Sequence, residues 1–177
     1  MEFDAVTTQQ LTELAKSEET LRPLLAGVFA ADTLPETPWR STARGYIVNT
    51  DPHTKPGRHW VALWTDKGAC QLMDSYGLPL AAHDTPHIQT WLRKHWTIVE
   101  ANTQSLQALN SATCGHYALR FLVDRSQGKT MRQFLELFDN YDYVYNDTLI
   151  ASWMKHKMLT YVAPTQVGEE LVYLKYQ

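Results

Sequence analysis

The chain has 177 residues, 44% of them hydrophobic, and a formal net charge of −3, which fits one domain around one sizeable core and excludes intrinsic disorder. The acidic balance gives no electrostatic drive toward nucleic acid or anionic membrane, since that drive comes from clustered lysine and arginine. Met1 to Gln10 lacks the basic start and apolar run of a secretory signal, and no stretch approaches the length of a membrane-spanning helix. The only cysteines, Cys70 and Cys114, offer no disulfide framework, so the expectation is a soluble intracellular protein, one domain over residues 1–177, with free thiols.

In chain order, residues 7–26 read as helix, with Leu11, Leu14, Leu21, Leu24 and Leu25 apolar and a break near Ser17-Glu18 where a second cap could begin. Gly27 to Pro35 mixes apolar residues with turn formers and reads as a loop, since Pro35 and Pro38 oppose further helix. Arg44 to Thr50, with Tyr46, Ile47 and Val48 contiguous, is a strand buried on both faces. His59 to Trp64 and Ala69 to Asp74 form two more strands, and Asp66-Lys67-Gly68 joins them as a hairpin. Pro86 opens a helix through about Trp96, and Thr97 to Ala101 is a short strand. A helix starts near Cys114, another runs from Lys129-Thr130-Met131 through Phe138, and a last covers roughly 146–159 after the tyrosine-rich turn Asn140 to Tyr145. The tail to Gln177 ends in a strand. Helices flanking a central group of strands make the fold class α+β, with a mixed or antiparallel sheet.

The chemistry gathers around Gln107 to Gly115. The segment up to the cysteine is small and polar, and Tyr117, Ala118, Phe121 and Leu122 then recur at helical spacing, so Cys114 sits where a helix begins. Unpaired N–H groups and the helix dipole favour thiolate over thiol there, and with a side-chain amide such as Gln107 they can bind an oxyanion. A cysteine nucleophile needs a base and a group that fixes the base's tautomer. The hairpin supplies both, because His59 at the start of one strand and Asp74 at the end of its antiparallel neighbour fall at the same sheet edge. Each residue also has an ordinary reading: Cys114 as a small residue packed beneath a helix, His59 as a surface residue, Asp74 as a turn former. The histidines at 53, 83, 87, 95, 116 and 156 form no close metal-ligand pattern with cysteine or carboxylate. His116, two positions from Cys114, points to a different helix face and is not the base. Gly128-Lys129 lacks the partners of a phosphate-binding loop.

His59-Trp60 before an apolar strand, Asp74-Ser-Tyr-Gly77, and Thr103 to Gly115 with Asn-Ser-Ala-Thr-Cys-Gly at its end together resemble the adenovirus endopeptidase (adenain) family. The resemblance extends to related proteases of Polinton-type elements, the viral relatives of SUMO-specific isopeptidases, and covers most of residues 21–127. It implies His59 as general base, Asp74 as the orienting acid, Cys114 as nucleophile, Gln107 as the oxyanion side chain, and Trp60 and Gly115 as substrate-binding residues. It further implies a cysteine endopeptidase, a monomer, that cleaves capsid precursors at glycine-containing sites, in the host nucleus or cytoplasm or packaged in the virion. Two positions depart from the pattern. Adenain has glutamate where Asp74 stands, as the cellular isopeptidases have aspartate, which keeps open an isopeptidase that removes SUMO or ubiquitin. Where adenain links an activating peptide through cysteine this chain has Trp96, and its charge is acidic, so neither peptide nor DNA activator carries over and no cofactor is expected. A third reading is a catalytically silent binding domain. The His-Asp-Cys order differs from papain-like enzymes, which place cysteine first.

Overall fold

Lys67 and Gly68 both adopt positive φ, 48° and 82°, the two-residue turn whose twist matches that of the strands it joins. It connects β3 (Trp60–Asp66) to β4 (Ala69–Met73), with Asp66 opposite Ala69 and Ala62 opposite Met73. The computed structural model describes residues 4–167 and 170–175, with side chains through residue 161. In it the hairpin is the centre of a five-stranded sheet ordered β1-β2-β3-β4-β5. β2 (Arg44–Asn49) pairs antiparallel with β3, while the outer strands β1 (Leu25–Phe29) and β5 (Ile98–Ala101) run parallel to their neighbours. The α+β class expected from the sequence is the class observed.

Strand alternation divides the core in two. Ile47, Ala62, Trp64 and Met73 face α3 (Cys114–Ser126), whose Tyr117, Ala118, Phe121 and Leu122 are fully buried. Tyr46, Val48, Val61, Leu63 and Leu72 face the other way, toward Ile88, Trp91 and Leu92 of α2 (Pro86–His95). Both sheet faces are therefore covered, and α3 lies across β3 and β2 with α1 (Thr8–Ser17), α4 (Met131–Leu135) and α5 (Tyr143–Thr160) against it. At about 25 cal/mol per Å² of apolar surface removed from water, these two layers dominate the folding drive.

The differences from the expected elements have local causes. The helix expected over 7–26 stops at Ser17; Arg22–Leu24 is a 3₁₀ turn, and Leu25–Phe29 is a strand rather than the end of a helix and the start of a loop. Parallel pairing with β2 stabilises that strand, and Gly27, at φ +150°, sits at its register shift. α4 is shorter than expected, and α5 starts earlier because Asp142 caps it by accepting the Tyr145 N–H. The tail is a two-stranded antiparallel pair, Val162–Val167 with Glu170–Lys175, where one strand was expected. No helix among the described residues is long and apolar enough to cross a membrane.

Candidate active site

Asp74 lies just past the end of β4 and has no exposed surface. Its Oδ1 accepts from His59 Nε2 at 2.6 Å and the Tyr76 N–H at 3.0 Å; its Oδ2 accepts from His83 Nε2 at 2.7 Å and the Leu78 N–H at 3.2 Å. Burial pushes the carboxyl pKa up, but the hydrogen bonds from both histidines, the His59 charge and the Tyr76 N–H outweigh it and hold Asp74 well below the usual carboxylate range. An ionised carboxylate can only accept, so both histidines carry their proton on Nε2. The backbone is braced by Asn102, whose Oδ1 accepts the Asp74 N–H at 2.8 Å and whose Nδ2 donates to the Asp74 carbonyl at 2.7 Å. Gly77 closes the turn at φ +63°, and a Cβ there would lie 2.6 Å from the Thr103 carbonyl.

His59 is 5% exposed, and two rings stack on it: Tyr76 at 4.8 Å and 23°, His83 at 4.9 Å and 15°. With Nε2 committed to Asp74, Nδ1 is left for Cys114. Burial alone would depress the imidazole pKa, but hydrogen bonds with Asp74 and Cys114 and their negative charge push it up to about 9. His59 and Asp74, which the sequence places at one sheet edge, thus meet in one buried pair.

Cys114 is the first residue of α3 and is 9% exposed. The caps of the helices differ in one respect that matters here. Thr7, Thr130 and Asp142 each accept a first-turn N–H of α1, α4 and α5, whereas the Thr113 side chain does not cap α3. Its hydroxyl instead donates to Asp147 at 2.7 Å. The Thr113 carbonyl takes the N–H groups of His116 and Tyr117, and the N–H groups of Cys114 and Gly115 precede the first intrahelical bond. Gln107 is 1% exposed and locked in place: Ser75 Oγ donates to its Oε1 at 2.6 Å and its Nε2 donates to the Ser111 carbonyl at 2.8 Å. Since that carbonyl can only accept, the amide orientation is fixed, and the second N–H of Nε2 is left over.

The other expected site residues have packing roles as well. Trp60 is half-buried beside Gly115, where a Cβ would lie 2.4 Å from Val6 Cγ2 and 3.2 Å from Trp60 Cδ1. Gly115 thus lets the N-terminal segment close over the helix start. His116 is buried, its Nδ1 unpartnered among the described residues and its pKa pushed down to about 4 by burial. Trp96 packs against Trp91 at 6.2 Å, with the Arg40 guanidinium 5.6 Å from its ring centre.

Sequence reasoning missed His83 and Asp147. His83 was set aside on metal-ligand spacing, yet the fold brings it, Asp74 and His59 within 4.8 Å of one another at their donor atoms. The two rings are nearly parallel and both are aimed at the carboxylate, which is their common partner. Asp147, on α5, accepts from the Ala108 N–H at 3.1 Å, Thr113 Oγ1 at 2.7 Å and Tyr117 Oη at 3.0 Å, while its neighbour Asn146 donates to the Leu106 carbonyl at 3.1 Å. The C-terminal third therefore clamps the loop that carries Gln107 and Cys114, a role with no local sequence signal.

No protein-family model and no curated protein sequence matches the chain. Solved structures do. The ASFV pS273R protease superimposes with a TM-score of 0.51 at 13% identity over 83% of this chain and 66% of that one. ChlaDub1 from Chlamydia trachomatis gives 0.57 at 13% identity over 88% of this chain and 91% of that one. The chain spans slightly less than two thirds of the ASFV protease. At this identity the likeness is one of fold, a mixed five-stranded sheet flanked by helices.

Proposed function

We propose that the chain is a cysteine endopeptidase acting on polypeptides. The observation that carries this reading is the buried imidazole of His59, held by Asp74 through Nε2 and raised toward its charged form by Asp74 and Cys114, with Cys114 at the uncapped start of α3. The Cys114 sulfur adds to the scissile carbonyl, and the oxyanion receives the Cys114 N–H and the free amide hydrogen of Gln107. His59, protonated, delivers its proton to the departing amine as the C–N bond breaks and a thioester remains. It then takes a proton from water, whose oxygen attacks the thioester; the C–S bond breaks, the carboxylic acid departs, and the sulfur is left as thiolate beside the reprotonated His59. Asp74 fixes the tautomer and balances the imidazolium charge throughout.

Access supports a preference for small residues. With Cys114 9%, His59 5% and Gln107 1% exposed and Trp60 alongside, an extended backbone reaches the sulfur most readily where it carries no Cβ. This supports glycine-containing sites; capsid-precursor substrates, an intracellular or virion setting and a monomeric state rest on the adenain resemblance alone. Replacing Cys114 with alanine abolishes hydrolysis of glycine-containing peptides and leaves the circular dichroism spectrum unchanged; undiminished cleavage by that variant refutes the reading.

A second reading, an isopeptidase that removes ubiquitin or a related modifier, is favoured by the aspartate at position 74 and by the extent of the ChlaDub1 match. A panel of propargylated modifiers separates the two. Rapid covalent capture of Cys114 by one modifier, without cleavage of capsid precursors, would make the second reading the better one.

A further inference from the structure

A carboxylate that orients a catalytic imidazole needs only one of its oxygens for the task. In this molecule the second oxygen is held by another imidazole, that of His83, at 2.7 Å. The same ring stacks on His59 with centroids 4.9 Å apart and planes 15° from parallel. We propose that His83 is a positioning residue for the triad, a second imidazole on Asp74 that fixes the carboxylate and the His59 ring. The proposal rests on the peptidase reading for its place in a reaction, and on geometry for the rest.

Three features place His83 in this role rather than in general packing. It ends a single 3₁₀ turn, Leu80–His83, and Asp84 follows in the left-handed region at φ +51°, so the backbone is bent to return the ring to the sheet edge. Its carbonyl accepts from Arg58 Nη2 at 3.3 Å, and the Arg58 Nε donates to the buried Asp51 at 2.8 Å, which anchors the turn to the residue preceding His59. Its side chain is 11% exposed against 0% for Asp74, so the ring also shields the carboxylate from water. Without it Oδ2 would keep only the 3.2 Å bond from the Leu78 N–H in a place shielded from water.

The test uses the whole chain as wild type, His83→Leu and His83→Gln, with two readouts. One is kcat and KM on a glycine-containing peptide; the other is the rate of Cys114 alkylation by iodoacetamide, followed by peptide mass spectrometry, which needs no peptidase activity. Leucine removes the donor to Asp74 and should lower kcat by about 10- to 100-fold with little change in KM, and slow alkylation with it. Glutamine can keep an N–H donor on Asp74, so His83→Gln should hold kcat and the alkylation rate within about threefold of wild type. A His83→Leu variant whose kcat and alkylation rate match the wild type overturns the proposal while the peptidase reading stands. Alkylation slowed in His83→Leu and restored in His83→Gln, in a protein that cleaves no peptide, rejects the peptidase reading and leaves His83 in its place. Should His83→Leu fail to fold, His83→Met, of similar bulk and likewise without a donor, is measured in its place.

Discussion

Asp74 carries four hydrogen bonds on one fully buried carboxylate, which makes it the residue least tolerant of a change that preserves shape. In Asp74→Asn one side-chain oxygen becomes an NH₂ donor and meets either His59 Nε2 or His83 Nε2. If it meets His59, the imidazole turns its proton toward Cys114 and the base is lost. The expected outcome is a fall in kcat on the order of 10³-fold or more with KM nearly constant, measured by steady-state hydrolysis of the peptide used for the wild type. A kcat within tenfold of wild type would show that Asp74 does not set the tautomer. The members of this cluster were unequally legible in the sequence. His59, Asp74, Gln107 and Cys114 stand in motifs whose spacing has a chemical reason. His83 stands in a loop, and only the folded path of residues 75–85 brings it to Asp74.

At the scale of elements, the site depends on α3 beginning without a side-chain cap. A capping hydroxyl typically stabilises a helix by about 1 kcal/mol, and Thr113 forgoes that by turning to Asp147. The consequence is a helix start whose N–H groups remain available, held in place from α5. Asp147→Ala would strand the Ala108 N–H and leave Thr113 and Tyr117 only their bonds to Ser111 and the Leu106 carbonyl, and should destabilise the protein by roughly 1–3 kcal/mol. Urea denaturation measures this directly, and a loss under 1 kcal/mol would mean that the clamp does not hold the loop. In the surviving folded fraction Thr113 is free to cap α3 and compete with the oxyanion, so kcat should fall as well. The same elements show where pattern reading stops. The β3–β4 hairpin, α2 and the start of α3 were legible because their turn residues and periodicities are local. β1 was not, because what makes Leu25–Phe29 a strand is its pairing with β2, about twenty residues away. α5 was read as starting late because the tyrosines at 143 and 145 resemble a turn, while the deciding feature is the Asp142 cap.

The whole molecule shows the balance of these buried groups in its stability as a function of pH. His59 is raised from 6.5 to about 9, so its contribution is fully present below pH 6.5 and is lost as pH rises through about 9. His116 is lowered from 6.5 to about 4; the fold holds it neutral, so its contribution is present above pH 6.5 and is lost as pH falls through about 4. Asp74, depressed below 3.8, adds to the loss at lower pH still, and Cys70, raised from 9.0 to about 12 by burial, adds to the loss above about pH 9. The two histidines oppose each other across one value, so the melting temperature should peak near pH 6.5 and fall on both sides. Substitution separates the limbs: His59→Gln should flatten the fall between pH 6.5 and 9, and His116→Phe the fall between 6.5 and 4. Melting curves at half-unit intervals of pH test this, and an alkaline limb unchanged in His59→Gln would show that the Asp74–His59–Cys114 cluster is not coupled to folding. The sequence marked both histidines, His59 as a base and His116 as unsuited to that role, but the signs of the shifts come from the fold: burial lowers His116, while at His59 Asp74 and Cys114 outweigh burial.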